Sequence, residues 1–377
     1  MELKIVTYIK EHGLDKAIAD WKLKVRMYDK KLLLKYNQLE SPFGNREVEE
    51  CRGLVLEKDT WMVMCLGLTK FYNSAEGHAA KLDWDTARVL KKEDGSCCNL
   101  HYDWHKETWF AATTGTAEGE GEVNNRENTS FNDLFWETID NKYGGRETFL
   151  KKLFVSDTYV FELTTPYNIV VAPHSESRVT LLTARNMFSL EEYSRNVCES
   201  YASDMGVPIV EEYDLNKGNV GHIMRTFENM PFSSEGYVVV DNNFNRIKIK
   251  NPAYVAAHYL KGRSESHHIL DIVKSNEIDE FIATFAERKE EILMLDENYK
   301  ALLTTLVEGW DALVEHKPKN ITPAERKKFA TKVFSVVDDM GLSSMTGLYF
   351  GLMDGKVESV EDYVRNMDNK RLYQLLK

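Results

Sequence analysis

The sequence predicts an α+β fold, with antiparallel sheets in residues 1–255 and an all-α domain in residues 256–377. Three observations carry this expectation. Short β-rich runs separated by turns fill residues 45–250, and beyond them apolar residues recur only at helical spacing. At 377 residues the chain is also longer than a single hydrophobic core usually serves.

The elements follow in order. MELKIVTYIKEHGLDKAI mixes charges with apolar residues at helical spacing and lacks the apolar stretch of a signal peptide. RGLVLE (52–57), WFAATTG (109–115), TYVFELTT (158–165), VTLLTAR (179–185), GYVVVD (236–241) and RIKIK (246–250) read as strands. Val89-Leu90 and residues 99–102 form extended arms around Asp94-Gly95-Ser96, which is turn chemistry. Helical patterns interrupt at 130–152 and 189–206, a mixture that suits an α+β domain. After Lys250, Ile292, Leu295, Tyr299, Leu302, Leu306, Trp310 and Leu313 mark an amphipathic helix. Thr322-Pro323-Ala324-Glu325 is a capped helix start, and Ser359 with Asp362 opens a last helix in the same style.

Bulk composition narrows the function. With 43% hydrophobic and 29% charged residues and no membrane-length apolar run, a cytoplasmic protein without a membrane partner is expected. The five cysteines make no Cys-x-x-Cys pairs, which points to a reducing compartment; Cys97-Cys98 reads as two small strand residues. A net charge of −12 argues against a general nucleic-acid coat. Residues 246–263 nevertheless hold Arg246, Lys248, Lys250, Lys261 and Arg263 with no acid among them.

The stretch KKEDGSCCNL (91–100) sets Lys92 just before an acidic turn. A hairpin tip explains this without function. As a nucleophile, Lys92 has to become neutral, which nearby positive charge or desolvation promotes. Lys248 and Lys250 alternate in RIKIK, so a strand points both to one face, where an anion such as a polyphosphate would relieve their repulsion. The plain alternative is an edge strand with protective lysines. Glu235-Gly236 at a strand entry is either a turn or a carboxylate offered to a metal and its waters. Glu162 lies inside an apolar strand, where a charge is costly unless it has a partner.

Lys92-Glu93-Asp94-Gly95, FELTTP (161–166), EGYVVV (235–240) and KIK (248–250), in this order, resemble the covalent nucleotidyltransferase superfamily, whose nucleophile motif is Lys-x-Asp-Gly. EECRGLVLE (49–57), TKFYN (69–73), LLTAR (181–185) and KIKNPAYVAAH (248–258) extend the likeness to the RNA ligase 1 family of bacteriophages. The helical tail resembles that family more loosely, through GLYFGLMDG (347–355). The resemblance implies a nucleotidyltransferase (adenylation) domain with an N-terminal extension, and an ATP-dependent RNA ligase working through a lysyl-AMP intermediate. It makes Lys92 the nucleophile and sets Lys248 and Lys250 beside the α-phosphate. Arg52 and Lys70 would contact the β- and γ-phosphates of ATP. Glu162 and Glu235 would hold ribose or the waters of Mg²⁺, and Val238 and Tyr72 would wall the nucleoside. The implied partner is RNA with 5′-phosphate and 3′-hydroxyl ends, including broken tRNA, and a monomer in a virus-infected host cell is expected.

The chain departs from the superfamily pattern at one point. Where a basic residue usually precedes a glycine between nucleophile and first carboxylate strand, ATTGTAEGE (112–120) has Thr114 before Gly115, and Gly119 and Gly121 suggest a mobile loop. Two other readings stand beside the ligase. One is a capping-type guanylyltransferase or DNA ligase using the same lysine; the other is a non-catalytic RNA-end-binding protein.

Overall fold

The computed structural model describes residues 2–215, 219–260, 269–276, 278–284, 288–317 and 322–376. It divides into two compact units, Met1–Lys261 and Gly262–Lys377. The border expected at 255/256 falls inside a helix instead, because Pro252–Leu260 continues directly from the last strand. Lys261 and Arg263 of the basic run lie outside the described residues.

The first unit carries three sheets. Leu23–Met27 (β1), Lys31–Tyr36 (β2), Arg52–Glu57 (β3) and Val63–Cys65 (β4) pair antiparallel in that order. Helices Lys4–His12 (α1), Leu14–Trp21 (α2) and Arg46–Glu50 (α3) accompany this sheet, and Ile5, Val6, Ile9 and Ala17 join Leu32, Leu34, Leu54 and Leu56 in one apolar cluster. The alternation of β2 and β3 therefore buries one face under α1 and α2.

The other two sheets divide the strands that follow. Tyr72–Asn73 (β5), Arg88–Lys91 (β6), Ser96–Asp103 (β7) and Thr108–Ala112 (β8) come first. Helices Phe131–Lys142 (α4) and Arg146–Leu150 (α5) replace the single helical stretch read at 130–152, because Gly144 and Gly145 both adopt positive φ and end α4. Asp157–Thr164 (β9), Arg178–Asn186 (β10), Arg195–Met205 (α6), Glu212–Tyr213 (β11), Val220–Arg225 (α7), Gly236–Val240 (β12), Arg246–Lys250 (β13) and Pro252–Leu260 (α8) complete the unit. One sheet runs β10-β9-β7-β8 and the other β11-β6-β12-β13-β5. Every registered pair is antiparallel except β13 with β5, where the two-residue strand after Lys70 lies along β13 in the same direction.

The sheet of β7–β10 is backed by α4, α5 and α6, with Phe135, Trp136, Phe149, Phe161 and Leu181 in the core. The sheet of β6 and β12 buries Val89, Tyr237, Val239, Ile247 and Ile249 against Ile223 and Phe227. Ile247 and Ile249 thus take the core face and leave Lys248 and Lys250 on the opposite one, as period two requires.

In the second unit the described elements are the helices Leu270–Ser275 (α9), Ile278–Thr284 (α10), Lys289–Val314 (α11), Pro323–Asp339 (α12), Thr346–Asp354 (α13), Val360–Arg365 (α14) and Asn369–Leu375 (α15). α11 buries Ile292, Leu295, Tyr299, Leu302, Leu306 and Leu313 of the stripe read from the sequence, and leaves its Trp310 half-buried. Thr322 accepts the Glu325 backbone N–H and Ser359 that of Asp362, as their capping patterns require. α14 is followed by α15, so Ser359 opens the penultimate helix.

Candidate active site

Lys92 follows β6 directly, and its backbone N–H donates to Gly236 O at 2.9 Å, extending the β6–β12 ladder by one rung. Across β12, Gly236 pairs with Lys250, so a residue without a side chain separates the two lysines. Gly236 has φ +131°, and a Cβ there would overlap Ile249 O, which excludes other residues on both counts. Glu235 is buried before it. Its Oε1 stands 2.7 Å from Lys92 Nζ and 3.8 Å from Lys250 Nζ. The nearest charge to Lys92 is thus a carboxylate, where the alternation in RIKIK suggested cations alone.

The turn after Lys92 is fixed by Asp94. Its Oδ2 accepts the backbone N–H groups of Val171 (3.1 Å) and Ala172 (2.7 Å), and Oδ1 accepts the Tyr254 hydroxyl (2.8 Å). The Asp94 carbonyl lies 2.7 Å from His174 Nε2. Gly95 permits this approach, since a Cβ there would meet Leu163 O at 2.6 Å. Sequence reading took Asp94 as turn chemistry and as the third residue of the Lys-x-Asp-Gly motif, without a partner. It is buried, and it anchors the turn after Lys92 to two distant segments.

A pocket opens beside Lys92, lined among others by Arg52, Phe71, Leu90, Cys97, Glu162, Val238 and Arg246. Val238 pairs with Leu90 on one side and Lys248 on the other, which makes an apolar wall ending in a cation. Lys248 Nζ stands 5.8 Å from the centre of the Phe71 ring, whose face attracts a cation. Glu162, on β9, faces the pocket. Burial pushes its carboxyl up to about 8, with Glu235 and Glu93 raising it further and Lys92 and Arg52 opposing. Arg52 donates to Leu68 O at 3.3 Å, and both residues line the pocket.

Lys70 and Tyr72 occupy a neighbouring pocket with Arg46, Glu49 and His78, which shares Phe71 and Arg246 with the first. Lys70 Nζ sits among Phe43 (4.3 Å), Tyr72 (5.0 Å) and Tyr36 (5.1 Å). Tyr72 accepts Gly44 N–H at 3.0 Å and shapes this cage, so it does not wall the Lys92 pocket as expected. Phe71 and Leu90 take that place.

The Thr113–Thr116 turn is closed by a 2.9 Å backbone hydrogen bond and a 2.8 Å contact between the Thr113 and Thr116 hydroxyls. The glycines after it are held, not loose. Asn132 N–H donates to Gly119 O and Phe131 N–H to Gly121 O, both at 3.0 Å.

Glu162 and Glu235 were the residues expected near Mg²⁺. Among the described residues no three His, Cys, Asp or Glu side chains cluster as a metal cage. The chemistry still fits a hard cation held through water and phosphate oxygens, because crowded carboxylates that raise Glu162 gain from a nearby dication.

Residues 50–254 match the RNA ligase family. An RNA ligase of Rhodothermus phage RM378 is 25% identical over 389 residues, covering 85% of this chain and 85% of that protein. A putative bifunctional polynucleotide kinase/RNA ligase of Autographa californica nuclear polyhedrosis virus is 25% identical over 300 residues, covering 74% of this chain and 41% of that protein. Among solved structures, an archaeal ATP-dependent RNA ligase aligns with a TM-score of 0.48 at 11% identity, over 89% of this chain and 80% of that one. No helix among the described residues is long and apolar enough to cross a membrane.

Proposed function

The chain belongs to the RNA ligase family, and from that premise we propose that it is an ATP-dependent ligase joining 5′-phosphate and 3′-hydroxyl RNA ends through a lysyl-AMP intermediate. The observation that carries this is the Lys92–Glu235–Lys250 cluster, with 2.7 Å and 3.8 Å between charges and Lys92 itself lining the pocket. The first unit, with its N-terminal extension, is assigned to adenylation and the second to a helical domain that favours broken tRNA.

In the first step Lys92 Nζ attacks the α-phosphorus of ATP, and the bond to the β-phosphate oxygen breaks as pyrophosphate leaves. Nζ must shed a proton, and Glu235 Oε1 stands within hydrogen-bond reach to receive it. Lys250 and Lys248 offset charge on the α-phosphate, Arg52 and Lys70 hold the outer phosphates, and Val238 supports the nucleoside. Mg²⁺, held through water by Glu162 and Glu235, would neutralise phosphate charge. An RNA 5′-phosphate then displaces Lys92 from AMP, and a 3′-hydroxyl attacks the activated end with release of AMP. Each displacement is in line, so positioning dominates.

Mass spectrometry of the purified protein after incubation with ATP tests this reading. The expected result is one AMP on Lys92, discharged by 5′-phosphorylated RNA. A GTP adduct in its place would favour the capping reading, ligation of DNA alone the DNA ligase, and RNA-end binding without any adduct the non-catalytic protein.

A further inference from the structure

The second unit is acidic as a whole, with 21 Asp and Glu against 16 Lys and Arg in residues 262–377. Its cations are not spread evenly. Six of them fall within residues 317–332, where Glu325 is the one acid. α12 holds four of these, Arg326, Lys327, Lys328 and Lys332, all exposed. Arg326 is matched by Asp354 at 2.8 Å. Lys327, Lys328 and Lys332 form no ion pair with any described residue. By contrast Arg288, Lys300 and Arg365 each keep a carboxylate within one turn, Glu291 at 2.9 Å, Asp296 at 2.7 Å and Asp362 at 3.7 Å.

This arrangement does not serve the helix itself. Lys328 and Lys332 are one turn apart, a spacing at which like charges weaken a helix. Cations in the first half and Asp338-Asp339 at the end also run against the helix macrodipole. Phe329, Val333 and Val337 hold α12 in the core, which leaves its outer face to carry the charge. There Lys328 and Lys332 line a surface groove with His316, Glu325, Phe329 and Thr331. On the adjoining stripe Lys327, Thr331 and Phe334 follow at spacings of four and three. Phe334 is 57% exposed and sets its ring edge-on to Phe350, with 6.3 Å between ring centres.

We propose that this face of α12 docks the sugar-phosphate backbone of the RNA to be joined, with Lys327, Lys328 and Lys332 on phosphates and Phe334 against an unpaired base. The inference rests on the ligase reading and gives the RNA preference of the second unit a surface. Lysine is a point charge on a flexible stem, which suits phosphates and not base edges. An exposed aromatic ring beside the cations suits a base freed from its stack. An acidic protein segment would satisfy the lysines but leave the ring without its match, so RNA fits the whole stripe.

The test titrates the full chain with a 5′-phosphorylated RNA stem-loop, broken in its loop, at several salt concentrations. Replacing Lys327, Lys328 and Lys332 together by Ala is expected to weaken binding by about ten- to hundredfold. The slope of log affinity against log salt should fall by about two to three, since each phosphate contact contributes about 0.7–0.9. Replacing the same three by Arg should keep the slope, and Phe334→Ala should weaken binding about tenfold without changing it. AMP transfer from ATP to Lys92 in the absence of RNA should match the unaltered protein throughout. Unchanged RNA affinity in the triple Ala variant overturns the proposal and is the result expected if the face serves an acidic protein. Weaker binding at an unchanged slope overturns it as well, because the loss is then one of folding and not of charge. If the unaltered chain binds RNA through this face yet takes up no AMP, the ligase reading fails and the surface stands.

Discussion

Lys31 and Lys92 are both lysines drawn into the fold and set against carboxylates, and their surroundings differ in one respect. Lys31 has a side chain only 2% exposed, is paired with Asp103 and with Glu118 at 2.9 Å, and stands 4.7 Å from the centre of the Phe110 ring. Two carboxylates flank its charge, one of them shared with Lys106, and water is kept from the ammonium. Lys92 keeps 22% of its side chain exposed and has Glu235 at 2.7 Å, while the second carboxyl nearby, Glu162, is pushed up to about 8. The first site is closed and complete. The second stands open, with a carboxyl that burial pushes toward its neutral form beside a partly exposed lysine.

Substitutions can break this contrast. The largest effect is expected from Lys92→Ala, which should abolish the covalent nucleotide in a denaturing gel assay and leave a cooperatively folded protein. Lys31→Ala should do the reverse. Breaking a buried pair costs about 3–5 kcal/mol, so chemical denaturation should show a marked loss, while the molecules that remain folded still take up AMP. If Lys31→Ala proved as stable as the parent, the structural half of the contrast would fail.

A middle effect is expected at Asp94. Replacement by Ala strands two backbone N–H groups and the Tyr254 hydroxyl. It should cost about 2–4 kcal/mol, and AMP uptake should slow because the turn carrying Lys92 loosens. Loss of activity at unchanged stability would mean that the carboxylate acts on the substrate instead.

The effect expected from Glu162→Gln depends on pH and vanishes in acid. Since the folded protein holds the Glu162 proton up to about 8, well above the usual value for Glu, the folded state binds more protons than the unfolded chain between those limits. Stability therefore falls as pH rises through that window. Glu162→Gln removes this penalty, so its thermal midpoint should match the parent near pH 4 and exceed it near pH 8. Equal midpoints at both pH values would sink the assignment of Glu162 as a strained carboxyl.

Legibility followed the range of the interactions. Lys92, Glu235 and Lys250 were visible because a motif and the period of two act within a few residues, and the structure brings these three together. Glu162 was visible because a charge in an apolar strand demands an explanation. Lys31 was not, since KLLLKY begins like any surface strand and only the packing of β2 against Asp103 buries it. Tyr72 misled for a related reason: β5 is two residues long, and its neighbour Phe71 turns into the Lys92 pocket in its place.

The Asp94 anchor has a consequence for the order in which the protein is made. Its last partner, Tyr254, lies 160 residues further along the chain. A ribosome has to deliver nearly the entire first unit before the loop carrying Lys92 is pinned on all sides. A nascent or truncated polypeptide ending before that tyrosine contains every residue of the nucleophile motif and still lacks the clasp that holds it in place.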